Sequence, residues 1–467
     1  MEERQVDVAI IGSGSAGLYA LSQVRKSGKT FVLINGGEPG TTCARVGCMP
    51  SKAMIQVAED YHRRTTLGRY GVDGHEEMAL DLPEALEYVQ DLRDTFVDRV
   101  LSHSTDKMGD EFIEGYAQFV AADTLEVEGR RVRAKRIIIA TGSRPIVPKA
   151  WEAFGERVLT TDNLFEQESL PESMAVIGLG TIGLELGQSL RRLGIRITGF
   201  DQQQTVGGAQ DPEVARCALE IMAKEFPIHL GQAAQIVEEG ERLRVSAGEH
   251  SVLVDKVLCS IGRIPNVDHL GLEHLDVARD ERGIPQFNRN TMQLGDLPVF
   301  IAGDVTGERP VLHEAGDEGR IAGYNAVHDE VVAFRRKVPL YISFCDPNIC
   351  MIGERWGDLD PERIAVGQIG FAPVGRALIM AKNKGILRVY GEKRSGRILG
   401  AEMVAPKGEN LAHLLCWSIE QGLTAGELLR MPFYHPVIEE ALQAALYDLY
   451  SNVEANNPGG LVEVARL

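Results

Sequence analysis

Two segments of the chain repeat one pattern: a β-type run, a glycine-rich turn, a helical period and a second β-type run. The first covers residues 6–35 and the second residues 173–201. Each carries G-x-G-x-x-G, formed by Gly12, Gly14, Gly17 and by Gly178, Gly180, Gly183. These glycines allow a tight turn, close approach of a pyrophosphate and close helix–strand packing, and the helix N-terminus then binds the pyrophosphate. One such motif is weak evidence, but two in the same context predict an α/β fold with two Rossmann-like dinucleotide-binding domains.

The residue that ends the second strand of each unit helps to identify its nucleotide. In the second unit this residue is Asp201, whose carboxylate can accept hydrogen bonds from the adenosine ribose hydroxyls. Residues 202–208 contain no Arg or Lys that could pair with a 2′-phosphate, so NAD is favoured over NADP. In the first unit the corresponding residue is Asn35, which can also bind ribose, and Glu38 is the alternative.

Length and charge restrict the class of protein. A single core rarely exceeds about 250–300 residues, so a chain of 467 residues should contain at least two domains. The net charge of -18 argues against nucleic acid or an anionic membrane as a partner. No apolar run approaches the roughly 18 residues of a membrane span, and no signal-peptide pattern opens the chain, so we expect a cytoplasmic protein. Seven cysteines, an odd number in a long chain, do not suggest a structural disulfide framework.

Cys43 and Cys48 lie at or just before the start of a predicted helix. Residues five apart in a regular helix are about 7.5 Å apart along the axis. A disulfide requires Cα atoms within about 4.4–6.8 Å, so a bond between these two needs a distorted turn. Gly47 and Pro50 would permit that turn, and a strained disulfide is easier to reduce.

The helix start also bears on the reactivity of this cysteine pair. A helix N-terminus lowers the pKa of a thiol, and Arg45, between the two cysteines, would add to the effect. We interpret the pair as redox-active. The alternatives are two free buried cysteines or half of a metal site, but the further Cys or His that zinc requires is not evident nearby, and we predict no metal site.

The other cysteines and one histidine need separate interpretations. Cys345 and Cys350 have the same spacing, but their strand–turn–strand setting favours small core residues, and Cys217, Cys259 and Cys416 are also predicted to pack in apolar surroundings. Thiol–disulfide exchange needs a base, for which histidine is suited. His435 precedes Pro436, and a carboxylate at Glu439 or Glu440 could fix its tautomer. Taken alone, a histidine at a loop–helix junction is more often a cap or a surface residue.

Taken together, these motifs resemble those of the pyridine nucleotide–disulfide oxidoreductase family and, within it, the dihydrolipoyl dehydrogenases. The resemblance covers nearly the whole chain in the family's order. Besides the two glycine motifs and the cysteine pair, it rests on these residues: Pro50-Ser51-Lys52, Ala140-Thr141-Gly142, Glu185, Gly262-Arg263-x-Pro265-Asn266, Gly303-Asp304, and His435-Pro436 with Glu440.

The resemblance implies roles for individual residues. FAD would be bound by Gly12, Gly14, Gly17, Asn35, Thr42, Lys52, Thr141, Gly142 and Asp304, and NAD by Gly178, Gly180, Gly183, Glu185, Asp201 and Gly262. Cys43 would exchange with the substrate and Cys48 would lie next to the flavin. Lys52 would pair with Glu185 near the flavin's reactive nitrogen, and Asp304 would hold the ribityl chain. His435, oriented by Glu440, would be the acid–base.

The resemblance also implies a domain order and an assembly. Residues 1–148 would form an FAD domain with the redox cysteines, 149–266 an NAD domain, 267–337 a central domain that completes the FAD site, and 338–467 an α+β dimerisation domain. An obligate two-fold dimer would bring His435 of one subunit to the cysteines of the other. The family's usual residues are replaced at Thr41, Arg45, Asn35, Val437 and Glu439. None of these changes removes a reacting group, but Arg45 and Glu439 alter the local charge.

We therefore expect an FAD-dependent disulfide oxidoreductase that converts dihydrolipoamide and NAD+ to lipoamide and NADH. Its partner would be a lipoyl domain of a 2-oxoacid dehydrogenase or glycine cleavage complex. One alternative is an NAD(P)H-dependent reductase of another disulfide, a metal ion or a quinone; the other is a flavoprotein with a structural role in an acyl-transfer complex. A glutathione reductase-like enzyme should favour NADPH. A mercuric reductase-like enzyme should have an extra cysteine pair near its C-terminus, and the tail NNPGGLVEVARL has none.

Overall fold

A computed structural model describes residues 3–457 and 460–464. Residues 3–148 contain strands β1 (Glu3–Ile11), β2 (Phe31–Asn35), β3 (Phe112–Glu114), β4 (Ala117–Ala121), β5 (Thr124–Val127), β6 (Arg130–Ile139) and β7 (Ser143–Pro145), and helices α1 (Ser15–Ser27), α2 (Thr42–Arg45), α3 (Cys48–His62), α4 (Arg64–Leu67) and α5 (Leu82–His103). Residues 149–266 contain β8 (Val158–Leu159), β9 (Ser173–Ile177), β10 (Arg196–Asp201), β11 (Ile228–Leu230), β12 (Gln235–Glu239), β13 (Arg242–Ala247), β14 (His250–Val254), β15 (Lys256–Cys259) and β16 (Arg263–Pro265), with α6 (Thr161–Leu164), α7 (Thr181–Arg192) and α8 (Pro212–Met222).

The rest of the chain adds β17 (Val299–Ile301) and α9 (Leu312–Val327), then β18 (Leu340–Ser343), β19 (Asn348–Gly353), β20 (Ile364–Gly370), β21 (Ile386–Glu392) and β22 (Ile398–Ala405), with α10 (Gly375–Ile379), α11 (Gly408–Glu420), α12 (Ala425–Leu429) and α13 (Glu440–Ser451). In the described ranges, no helix is both long and apolar enough to cross a bilayer.

The first glycine unit forms the centre of a seven-stranded sheet. Its parallel strands follow the order β3-β2-β1-β6, and β17 joins from much later in the chain by pairing with β6. Val8 and Ile10 of β1 pack towards α1 and α9, whereas Ala9 and Ile11 pack towards residues 267–297. Because both faces of the sheet are covered, β1 becomes a continuous apolar run, as is usual for parallel strands.

Helices α1 and α9 cross in backbone contact above this sheet. A Cβ on Gly319 would lie 2.2 Å from the carbonyl oxygen of Ala16, and one on Gly323 would lie 2.6 Å from that of Ala20. No side chain fits in that space, so the glycines of α9 allow the two helices to pack at this distance. The crossing holds the N-terminal part of α9 beside the first glycine loop.

The second glycine unit forms a parallel sheet with the order β11-β10-β9-β15-β8. The antiparallel sheet β12-β13-β14 covers one of its faces, and α7 packs on the other face and against α3. The chain passes between the two units at β7 and β16, which pair antiparallel. This arrangement brings α3 of the first unit and α7 of the second unit side by side.

The C-terminal part is a five-stranded antiparallel sheet, β18-β19-β22-β21-β20, on which α11 and α13 pack. Cys345 and Cys350 lie in the turn and second strand of the β18–β19 hairpin and are 1% and 0% exposed, which confirms their prediction as core residues. Cys259 is also buried, while Cys217 and Cys416 are half-buried. A helix predicted from Val437 starts instead at Glu440, whose carboxylate accepts the Val437 N–H in a preceding turn.

Candidate active site

The first glycine loop fits a dinucleotide. Gly12 has a φ of +109°, and a Cβ there would lie 2.2 Å from the carbonyl oxygen of Ala140. A Cβ on Gly17 would lie 1.9 Å from the carbonyl oxygen of Gly12, so both glycines are required by close approach of backbone. Gly14 faces open space and caps α1 without any side-chain hydrogen bond, which leaves the first N–H groups of the helix for an anion.

The second glycine loop repeats this geometry. A Cβ on Gly178 would lie 2.4 Å from the carbonyl oxygen of Ser260, and one on Gly183 would lie 1.8 Å from that of Gly178. Gly180 is open and caps α7, again without a side-chain hydrogen bond. The chain therefore presents two matching sites for the pyrophosphate of a dinucleotide.

The residues predicted to bind ribose also hold the glycine loops. The amide oxygen of Asn35 accepts hydrogen bonds from the N–H and hydroxyl of Ser13, at 3.3 and 2.8 Å. The carboxylate of Asp201 accepts the N–H groups of Leu179 and Gln203, at 2.5 and 2.8 Å. A carboxylate has about four acceptor positions, so Asp201 retains capacity for ribose hydroxyls.

A cavity of about 480 Å³ lies where the two units and the C-terminal part meet. The predicted site residues that line it are Gly14, Thr42, Cys43, Cys48, Lys52, Gly142, Glu185 and Asp304. Those that do not line it are Gly12, Gly17, Asn35, Thr141, Gly178, Gly180, Gly183, Asp201, Gly262, His435 and Glu440. The cavity thus joins the cysteine pair to one open glycine loop and to the α3–α7 contact.

The two cysteines belong to different helices. Cys43 lies in α2, Cys48 is the first residue of α3, and the chain breaks between them at Val46 and Gly47. A Cβ on Gly47 would lie 2.8 Å from the Thr42 carbonyl oxygen, so glycine is needed for this close turn. The predicted distortion is present at Gly47. Pro50 has no part in it, because this residue lies inside the first turn of α3, where proline is tolerated.

The environment separates the two thiols chemically. Both are free in the structure, and Cys48 is the more exposed. The hydrogen bond from Cys43 lowers the pKa of Cys48 to about 7, with smaller contributions from the Lys52 ammonium and the helix start. The same interaction and burial raise the pKa of Cys43. Arg45, expected to assist, is not among the main contributors, so Lys52 is the cation that matters for the Cys48 thiolate.

Lys52 is held by residues from two other parts of the fold. Its ammonium lies 2.7 Å from the carboxylate of Glu185 on α7, which is 4% exposed. The second oxygen of Glu185 accepts the N–H of Phe344 at 2.7 Å, and the Phe344 ring lies 4.8 Å from the Lys52 ammonium. Phe344 was missed in the sequence because it stands beside Cys345 in a segment interpreted only as core.

Asp304 is fixed at the other end of the cavity. Its carboxylate accepts the hydroxyl of Ser143 at 2.9 Å, and Arg263 donates to that same hydroxyl at 2.8 Å. Thr141 donates to the carbonyl oxygen of Asn266 at 2.7 Å, so its hydroxyl already has a partner within the chain. The motifs around residues 141–145 and 262–266 therefore brace each other where the chain passes between the two units.

His435 lies outside the cavity and is 80% exposed at its side chain. Its Nδ1 lies 2.8 Å from the Glu440 carboxylate, and this contact lowers the pKa of Glu440. The pairing leaves Nε2 directed away from the carboxylate and free to exchange a proton. Within residues 3–457 and 460–464, no group of three or more His, Cys, Asp or Glu is placed to hold a metal ion.

Comparison with known families gives two matches that follow one another along the chain. Residues 6–319 match the model of the pyridine nucleotide-disulphide oxidoreductases, and residues 340–446 match the dimerisation domain of the same family. A dihydrolipoyl dehydrogenase of Thermus scotoductus is 29% identical over 465 residues, covering 95% of this chain and 97% of that protein. A mercuric reductase of Streptomyces lividans is 28% identical over 470 residues, covering 96% and 97%.

Solved structures give the same fold. The Cu(II) complex of the HOCl-induced flavoprotein disulfide reductase RclA from Escherichia coli superposes with a TM-score of 0.83 at 21% identity, covering 95% of this chain and 99% of that one. LpdA from Mycobacterium tuberculosis gives a TM-score of 0.82 at 22% identity, covering 96% and 99%. The α/β fold predicted from the two glycine units is thereby confirmed.

Proposed function

This chain belongs to the pyridine nucleotide-disulphide oxidoreductase family, and we propose that it oxidises dihydrolipoamide, or the same group on a lipoyl domain, with NAD+. As a member of this family it is a flavoprotein oxidoreductase that uses FAD and a pyridine nucleotide. The two glycine loops and the cavity between them have the shape and the free N–H groups that two such cofactors require.

The thiol chemistry of the proposal centres on Cys43 and Cys48. In the oxidised protein they form a disulfide. One thiolate of the substrate attacks the sulfur of Cys43, and the bond to Cys48 breaks, so that Cys48 leaves as a thiolate. The second substrate thiolate attacks the sulfur now bound to Cys43, which closes the lipoamide disulfide and releases Cys43. The substrate loses two electrons and two protons, and the cysteine pair gains the two electrons.

The observation that carries this proposal is the lowered pKa of Cys48. A thiol of low pKa is a good leaving group in disulfide exchange, and Cys48 is the sulfur released in the first step. Its position at the start of α3, beside Lys52, keeps the thiolate stable until the electrons move on. FAD, when bound, takes the two electrons from the cysteine pair and delivers them as a hydride to NAD+.

The substrate protons need a base, and we assign that role to the partner subunit's His435. Within one chain His435 does not line the cavity, and the match to the dimerisation domain supports a homodimer. The contact with Glu440 fixes the imidazole and stabilises its protonated form. Exposure of this side chain in a single chain is therefore what a site completed by a second subunit requires.

The choice of NAD over NADP is part of the same proposal. Asp201 places a carboxylate at the end of β10, where a 2′-phosphate would be repelled. Residues 202–208 supply no arginine or lysine to offset that repulsion.

The test is steady-state turnover of purified holoenzyme with dihydrolipoamide and NAD+, compared with reduction of glutathione disulfide, Hg(II), Cu(II) and quinones by NADH or NADPH. The matched control is Cys48→Ser, which retains the fold but cannot form the disulfide. We expect the lipoamide reaction to be the fastest, to prefer NAD+, and to disappear in Cys48→Ser. Absence of lipoamide turnover, or its survival in the variant, would exclude the proposed activity. Faster reduction of a metal ion or quinone would favour the alternative reductases.

A further inference from the structure

A buried ionic cluster lies on the face of α9 that the glycines do not occupy. Its carboxylates are Glu314 and Glu318, one helical turn apart and only 3% and 1% exposed at their side chains. Arg336 reaches both of them at 2.6 Å, and Arg309 contacts the second oxygen of Glu314 at 2.9 Å. Two carboxylates at this depth require such partners, since an unpaired buried charge is strongly destabilising.

Glu318 makes one contact that Glu314 does not. Its second oxygen accepts the backbone N–H of Gly303 at 2.7 Å. Gly303 has a φ of +86°, and a Cβ there would lie 2.7 Å from the Cβ of Ala16 in the first glycine unit. The loop that carries Asp304 is therefore held between α1 on one side and the Glu318 carboxylate on the other.

We propose that Glu318 is a positioning residue for the FAD site, acting through the Gly303 N–H to set the place of Asp304. The inference rests on the proposed role of Asp304 in binding the flavin. Gly303 and Asp304 both line the cavity, whereas Glu318 does not, so Glu318 acts on the cofactor through the loop. Thr306 completes the hold by donating its hydroxyl to the Gly303 carbonyl oxygen at 2.9 Å.

The cluster also connects this loop to the C-terminal part. Arg336 lies in the segment that leads from α9 into β18, and its two neighbours are anchored as well. Arg335 pairs with Glu420 of α11, and Lys337 lies 2.9 Å from Asp317 of α9. Correct docking of the C-terminal part thus places Arg336 where it keeps the Glu318 carboxylate charged and in contact with Gly303.

The test compares FAD release from the holoenzymes of Glu318→Gln and Glu314→Gln. The first variant keeps the size of the side chain and an acceptor for the Gly303 N–H but loses the charge; a charged acceptor makes a bond roughly twice as strong. We expect release, followed by recovery of FAD fluorescence after dilution, to be about tenfold faster in this variant. Glu314→Gln removes an equally buried carboxylate from the same arginine without touching the loop, and should release FAD within about twofold of the wild-type rate.

A third variant separates positioning from folding. Glu318→Asp keeps the charge beside Arg336 but shortens the reach to Gly303, so it should also release FAD faster. The visible circular dichroism of the bound flavin, which reports its orientation, should change in both Glu318 variants and remain unchanged in Glu314→Gln. Wild-type release and spectra in both Glu318 variants, or equal effects of Glu314→Gln and Glu318→Gln, would refute the inference. These readouts do not involve lipoamide, so failure of the proposed reaction in the wild-type enzyme would leave them interpretable.

Discussion

Replacing Cys43 with alanine should raise the pKa of the Cys48 thiol. In the structure the hydrogen bond from Cys43 is the largest contribution to the pKa of Cys48, which lies at about 7. An unperturbed cysteine titrates at about 8.5. The Lys52 ammonium and the start of α3 remain in the variant, so only part of the difference should be lost.

The size of the change follows from the strength of one hydrogen bond. Bonds to a charged group contribute about 1.5–3 kcal/mol, and one pH unit of pKa corresponds to about 1.4 kcal/mol. Cys48 is exposed, so water replaces part of the lost bond and the lower end of that range applies. We therefore expect the pKa of Cys48 to rise by about one pH unit in Cys43→Ala.

The assay is the rate of alkylation of Cys48 by iodoacetamide as a function of pH, resolved by peptide mass spectrometry. Only the thiolate reacts, so the rate rises with pH through the pKa. Neither Cys43 variant can form the active-site disulfide, so Cys48 stays reduced. Burial raises the pKa of every other cysteine, and these thiols should remain unreactive in the same pH range: Cys217, Cys259, Cys345, Cys350 and Cys416.

Cys43→Ser provides the matched control. The serine hydroxyl still donates to the Cys48 sulfur, so the midpoint should remain near the value of about 7. Equal midpoints in the alanine and serine variants would show that the hydrogen bond does not set the pKa and would refute the reasoning.

Three further changes test other parts of the site. Gly47→Ala forces a Cβ to within 2.8 Å of the Thr42 carbonyl oxygen and should lower the free energy of unfolding by about 1–3 kcal/mol in urea denaturation; an unchanged midpoint would argue against the close turn. Glu185→Gln removes a carboxylate that raises the pKa of Cys48, so the alkylation profile in a Cys43→Ser background should move to lower pH, opposite to the effect of Cys43→Ala. His435→Gln should slow lipoamide-linked turnover about 100-fold or more, with flavin absorbance and thermal stability unchanged because this side chain is exposed; near-normal turnover would remove its assigned role.

Local geometry explains why much of the fold could be predicted from the sequence. The glycine units were recognisable because each glycine meets a requirement that arises within a few residues, such as the contact of Gly17 with Gly12. The family predicted from the combined motifs is confirmed by matches over residues 6–319 and 340–446. Buried strands such as β9 were recognisable from apolar runs beside those turns.

Predictions that depended on side-chain surroundings were less accurate. Arg45 stands between the cysteines in the sequence, yet it is not among the main contributors to the pKa of Cys48, and its Nε is buried without a partner. Pro50 is close in sequence to the break between α2 and α3 but lies within α3. Neighbourhood in the sequence did not determine which side chain points at the sulfur.

By itself, the sequence determined the two dinucleotide-binding units, the cysteine pair at a helix start and the family, because each depends on local backbone geometry or on motif order. Only the tertiary structure decided how the site is held. The contact of Lys52 with Glu185 joins residues 133 positions apart, and Glu318 reaches Gly303 across a helix packing that no local pattern encodes. Such contacts depend on how α3, α7 and α9 pack, and the burial produced by that packing sets the charge and the pKa of the groups around the cysteines.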